Sequence, residues 1–211
     1  LAKLYLYAME NGGSPDFSAK AEKSAARLVK LEPKNSYVLN DAAIVYSQLG
    51  KWDRAMHYYD AALELDHYNK NIYINSFRLK NQKLLEFIGS DPKRANQIAQ
   101  SMIKNYEDME YWYSAFSKRP HGTTFNSKKF KITGEISYFA GLAYFQLEDY
   151  GMVLDIYQSF DVDGADRLVK NRMNALAYLS NKKVGKEEKA AILYKENSNP
   201  EFLDFCTKIE K

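Results

Sequence analysis

Few side chains in this sequence have the type and spacing that chemistry requires. There are three histidines. His57 falls in the middle of a helical pattern, His67 in a turn and His121 in a basic stretch, and none has a partner at a metal-ligand spacing such as H-E-x-x-H. The single cysteine, Cys206, excludes an internal disulfide and any cysteine-based zinc cluster. It lies on an apolar stripe, where a thiol packs rather than reacts. Carboxylates such as Glu107, Asp108 and Glu110 read as solvated helix-surface charges, with no general acid–base pair standing out. No G-x-S-x-G, phosphate-binding loop or G-x-G-x-x-G occurs. The sequence therefore assigns no catalytic residue, no metal ligand and no cofactor.

The densest chemical signal is the stretch from Tyr111 to Gly134. Lys118, Arg119, Lys128, Lys129 and Lys131 fall there without an acid, interleaved with Tyr111, Trp112, Tyr113, Phe116, Phe125 and Phe130. From Ser117 to Thr133, Pro120, Gly122 and the Thr, Asn and Ser residues break helix. A long non-helical segment inside a compact array is uncommon and often functional. It is expected either to pin itself by its rings or to form an anion-binding edge for a phosphorylated, acidic or lipid-headgroup partner.

The elements that must position such a segment are helical. Hydrophobic residues make up 45% and charged residues 27% of the 211 positions, a composition that folds. The net charge of +3 is too small for the whole chain to track a nucleic acid. No apolar run reaches the roughly 18 residues of a membrane span. The sequence begins at Leu1, without Met and already inside an apolar helical pattern. It is therefore expected to be a piece of a longer protein whose compartment cannot be read.

An internal repeat organises the chain. The unit Ser36 to Asn69, SYVLNDAAIVYSQLGKWDRAMHYYDAALELDHYN, has about 34 residues. Ala42, Ala43 and Tyr46 lie on its first helix, Leu49-Gly50 ends that helix, and Trp52, Ala55, Tyr59, Ala62 and Leu63 lie on its second. Ala43 and Ala55 are small where two antiparallel helices approach, while Tyr46, Trp52 and Tyr59 supply volume. Ala140-Gly141, Tyr144, Tyr150, Val153 and Tyr157 fall at the same offsets later. Ala21, Leu28, Leu31 and Pro33 match a second helix and its exit. A weaker copy carries Ala175, Tyr178 and Ala190-Ala191, with extra residues at its turn.

A longer middle unit has a first helix from Asn71 to Phe87 and a second opened by Asp91-Pro92, with Ala95, Ala99 and Met102 facing the core. Met109 to Phe116 reads as a separate first helix. After Asn199-Pro200, the residues Phe202, Leu203, Phe205, Cys206 and Ile209 form the stripe of a capping helix.

These residues resemble the tetratricopeptide repeat family. The resemblance implies one all-α domain over 1–211, a right-handed superhelix of about five helix pairs with a C-terminal capping helix and one non-helical insertion. The units fall at about 1–35, 36–69, 70–108, 109–133, 134–166 and 167–198, with the cap at 199–211. It further implies a concave groove, lined by first helices, that binds a peptide or protein. The groove positions are Tyr37, Asn40 and Ile44, then Asn71, Ile74, Asn75 and Arg78. Asp41 and Ile44 stand where the chaperone-binding members carry carboxylate-clamp residues, which argues against that clamp.

The order of parts also resembles the soluble C-terminal repeat tail of bacterial O-antigen ligase or polymerase-like membrane proteins. That resemblance implies an accessory role in envelope polysaccharide assembly, with the catalytic chemistry in a membrane portion outside this chain. Changing Lys118, Arg119, Lys128, Lys129 and Lys131 together to Ser is expected to weaken partner binding and leave the melting temperature unchanged. A collapse of the melting temperature would make the stretch structural instead.

Overall fold

A computed structural model describes residues 16–117 and 132–210. The described elements are all α-helical: α1 Asp16–Leu31, α2 Ser36–Gln48, α3 Trp52–Leu65, α4 Lys70–Phe87, α5 Pro92–Ser117, α6 Gly134–Gln146, α7 Tyr150–Gln158, α8 Arg167–Lys183, α9 Glu187–Asn197 and α10 Pro200–Ile209. None of these helices is long and apolar enough to cross a membrane. The chain divides into two compact units, Leu1–Leu79 and Lys80–Lys211, whose boundary falls inside α4. The repeats led to the expectation of a single domain over 1–211, whereas the contacts within the chain cluster into these two units.

Half of the described helices start where a short polar side chain satisfies their free amides. Asn35 Oδ1 accepts from the amides of Tyr37 and Val38. Asp91 accepts from Arg94, Asp149 from Met152, Asp166 from Val169 and Asn199 from Phe202. Pro92 and Pro200 each follow the capping residue, where a missing N–H costs nothing.

Three hairpins share one reversal: α2–α3, α6–α7 and α8–α9. The residue after the helix takes a left-handed backbone, with φ of 71° at Gly50, 63° at Glu148 and 74° at Gly185. The next amide then donates back to a carbonyl inside the helix: Lys51 to Tyr46 at 2.8 Å, Asp149 to Tyr144 at 3.0 Å, Lys186 to Asn181 at 2.8 Å. This six-to-one closure supplies the helix end with amide partners its own turn cannot provide. It also sets the register. Ala55, Val153 and Ala190 stand at one offset beyond the turn, and all three are buried where the second helix meets the first. Ala21 is the corresponding buried residue of α1. A separate close approach, of α6 to α8, is visible at Gly141, where a Cβ would stand 3.3 Å from the Met173 sulfur.

Several expectations need correction. The helix Pro92–Ser117 runs unbroken through the boundary expected between 108 and 109, so Met109 to Phe116 is the continuation of α5 and not a new first helix. Met109 and Tyr113 continue the buried face begun by Ala95, Ala99 and Met102. The last hairpin carries no extra residues at its turn. Its additional length lies within α8, which has 17 residues against 13 in α2 and α6. In α10, Phe202, Phe205, Cys206 and Ile209 are buried, but Leu203 is exposed, being about 100° away from that stripe. Leu28 and Leu31 are likewise exposed, although Ala21 and Ala25 of the same helix are buried.

The turn geometry yields a paired expectation. Gly50→Ala meets no neighbouring atom yet must hold a φ of 71°, so it should lower stability by about 1 kcal/mol. Glu148→Gly relieves the same strain at a φ of 63° and should raise stability by up to about 1 kcal/mol. Urea denaturation midpoints moving in opposite directions would establish the shared turn; unmoved midpoints for both would contradict it.

Candidate functional site

Of the two sets of candidate residues, the cationic set lies outside the described residues: Lys118, Arg119, Lys128, Lys129 and Lys131, with His121 among them. The groove set lies wholly within the first unit. Tyr37, Asn40 and Ile44 take one face of α2, and Asn71, Ile74, Asn75 and Arg78 take one face of α4, each at helical spacing.

The structure joins these two faces by a side-chain bond. Asn75 Nδ2 donates to Asn40 Oδ1 at 3.1 Å, tying α4 to α2. Tyr37 is exposed at one end, with 67% of its surface accessible. Asn71 and Arg78 are exposed, while Asn40, Ile44, Ile74 and Asn75 are half-buried. Half-burial suits recognition: the apolar residues shed water from the face and the amides keep unused valences. Asn40 Nδ2 and Asn75 Oδ1 have no hydrogen-bond partner among the described residues, so the pair presents donors and an acceptor together. A peptide backbone alternates the same two groups and must satisfy both when it leaves water.

Beneath this face the ring packing is structural. Tyr46 and Tyr59 are buried. Tyr46 stacks on Tyr58 at 5.4 Å between centroids, and the Arg54 guanidinium lies 5.1 Å from the Tyr46 ring centroid. Glu22 of α1 pairs with Lys51 and, at 3.1 Å, with Arg54. These pairs are largely exposed, so each contributes at most about 1 kcal/mol.

Within the second unit, sequence reading assigned Tyr144 to packing alone. The structure adds a hydrogen bond, with its hydroxyl donating to Glu107 Oε1 at 3.3 Å. Burial first, then the Glu107 charge, holds the Tyr144 phenol well above its ordinary range, and burial with Glu110 does the same for Tyr106. A helical wheel of α5 puts Tyr106 beside Glu110, but the pairing with Tyr144 depends on tertiary packing.

His57 is exposed beside the Tyr58 ring and His67 sits in the turn after α3. No three His, Cys, Asp or Glu side chains gather as a metal site among the described residues. Cys206 packs in the α10 stripe, where burial, with Glu210 adding to it, pushes its thiol up to about 12. Burial likewise pushes Tyr59 and Tyr138 up to about 12.

Each of these groups keeps its proton longer in the folded chain than in the unfolded one. Their contribution is intact below the unfolded values of 9.0 for the thiol and 10.0 for the phenols, and is lost as pH rises toward about 12. Stability is therefore expected to hold level from pH 6 to 8 and to fall above about 9. Native Cys206 should resist iodoacetamide at pH 8 and react once the chain is unfolded in urea. Rapid labelling of the native chain would contradict the buried stripe. No family model matches this chain, and no curated protein matches it.

Proposed function

We propose that this chain is a non-catalytic scaffold of tetratricopeptide type that binds an extended peptide segment of a protein partner. The segment lies along the face formed by Tyr37, Asn40 and Ile44 of α2 with Asn71, Ile74, Asn75 and Arg78 of α4. The observation that carries this reading is the Asn75–Asn40 hydrogen bond, which leaves a donor and an acceptor without a partner among the described residues on an accessible, half-apolar surface. Ile44 and Ile74 supply apolar area, Tyr37 a ring with low entropy cost, and Arg78 a cation for an acidic side chain. The repeated hairpin supports the family assignment: three reversals with the same left-handed residue and the same back-donated amide. Small buried residues recur at the matching helix contact.

The reading is tested by selecting binders from a displayed library of random extended peptides and titrating the winners calorimetrically. Asn40→Ala combined with Asn75→Ala should weaken binding about tenfold, the cost of roughly one buried hydrogen bond left unmade. Because both residues are only half-buried, the melting temperature should drop by no more than a few degrees. Failure to select any peptide, or equal affinity for the double variant, would defeat the proposal.

A further inference from the structure

The three matched turns allow the hairpins to be compared position by position, and the last one departs from the first in an informative way. In the first unit, Tyr46 is buried against Tyr58, Arg54 covers its ring, and Glu22 of the preceding helix neutralises Arg54 and Lys51. Ring, cations and carboxylate form one closed set.

In the α8–α9 hairpin, Asn181 stands at the position of Tyr46, because Lys186 donates to its carbonyl as Lys51 does to that of Tyr46. Counting onward from the turn, Lys186 corresponds to Lys51, Lys189 to Arg54 and Leu193 to Tyr58. In the preceding helix α7, Leu154 follows the buried Val153 as Glu22 follows the buried Ala21. The last hairpin therefore keeps both cations and drops the ring and the carboxylate.

What replaces them is space. A cavity of about 270 Å³ opens between α7 and α9, lined by Leu154, Tyr157, Asn181, Lys186, Lys189 and Leu193 among others. It is the size of one large side chain with its hydration and smaller than a drug-sized site. Asn181 is only 4% exposed. Its Nδ2 donates to the Ala177 carbonyl at 2.8 Å, and its Oδ1 has no hydrogen-bond partner among the described residues. Lys186 and Lys189 are exposed and have no ion-pair partner among the described residues, and the residues lining the cavity include no acid. Both lysines sit at the start of α9, where the helix dipole disfavours positive charge, so they do not serve that helix. A local rule broken without a structural return marks a place to look for function.

We propose that this cavity binds a peptide segment carrying an aromatic side chain next to an acidic residue. The ring enters between Leu154 and Leu193, where the first hairpin places its own tyrosine ring. The neighbouring carboxylate pairs with Lys186 and Lys189, where the first unit uses Glu22. Asn181 Oδ1 accepts from the N–H or O–H that the ligand brings to the floor. The site is separate from the peptide face of the first unit and does not depend on it.

The test titrates the whole chain into a fluorescein-labelled, end-capped peptide of sequence Gly-Glu-Tyr-Glu-Gly. Binding with a dissociation constant at or below about 1 mM is expected, weakening with added salt. Replacing the peptide tyrosine by alanine should cost at least about tenfold, as should the double variant Lys186→Glu with Lys189→Glu. That variant should melt at the same temperature or higher, since acids favour the first turn of α9. Asn181→Tyr should abolish binding by restoring the ring from within. Asn40→Ala with Asn75→Ala should leave this affinity unchanged.

The proposal is overturned if the native chain does not bind at millimolar concentration, or if the alanine peptide binds as well. Equal binding by the lysine variant overturns it too. So does displacement of the peptide by free 4-hydroxyphenylacetate at the same concentration, which would make the site one for small aromatic acids.

Discussion

A helix that reverses direction within a few residues leaves its last carbonyls pointing at nothing, and burial makes that costly. In this protein the remedy is one left-handed residue and one back-donated amide, repeated after α2, α6 and α8. The remedy also fixes which residue of the second helix returns against the first. Once that register is set, a small side chain must stand at the contact, and Ala55, Val153 and Ala190 do so. The accessible faces of the first helices, including the one that carries Asn40, follow from the same registration.

Identical backbone closure does not impose identical interiors. The first hairpin fills the space behind its turn with a tyrosine ring beneath an arginine. The middle one uses Tyr144, whose hydroxyl reaches a carboxylate on α5. The last uses an asparagine and leaves volume. The repeat thus separates two jobs: the turn specifies geometry, and the side chain behind it specifies what the resulting surface can hold. At the end of the chain a further polar net takes over. Asn174 donates to Asn197 and accepts from Tyr157, and Asn171 donates to Glu201 while accepting from Asn199. Arg172 lies 5.7 Å from the Tyr138 ring and 5.5 Å from Phe205, holding α10 against α6 and α8.

Much of this was legible because the signals are local. Gly50, Asp91-Pro92 and Asn199-Pro200 announce helix ends through backbone constraints that hold in any context. The alternation of small and large residues in Ser36 to Asn69 follows from how closely two helices can approach. The misreadings have physical reasons too. Between Pro92 and Ser117 there is no Gly or Pro, so nothing stops the helix; the expected break came from repeat length, which a chain need not honour. The last copy was read from Ala175 and Tyr178 with extra residues at its turn, whereas the closure at Gly185 puts Asn181 at the position of Tyr46. The Asn40–Asn75 bond and the α7–α9 cavity were invisible in sequence: the first needs two helices docked in register, and the second is defined by atoms that are absent. Helical spacing alone puts Tyr37, Asn40 and Ile44 on one face of α2 and Asn71, Ile74, Asn75 and Arg78 on one face of α4; that these faces form a groove came from the repeat resemblance.

The helix beside that cavity has a thermodynamic character of its own. Ala190 is the one residue of α9 that is buried. The helix's other anchors are rim contacts, the Tyr194 ring against Tyr178 and Phe202 and the Asn174–Asn197 bond. A helix with so little buried surface is expected to open locally at a lower free energy than its unit unfolds. A ligand seated between α7 and α9 would oppose that opening. Its binding free energy would register as slower exchange along Glu187–Asn197, confined to the last hairpin, with the rest of the molecule unaware of it.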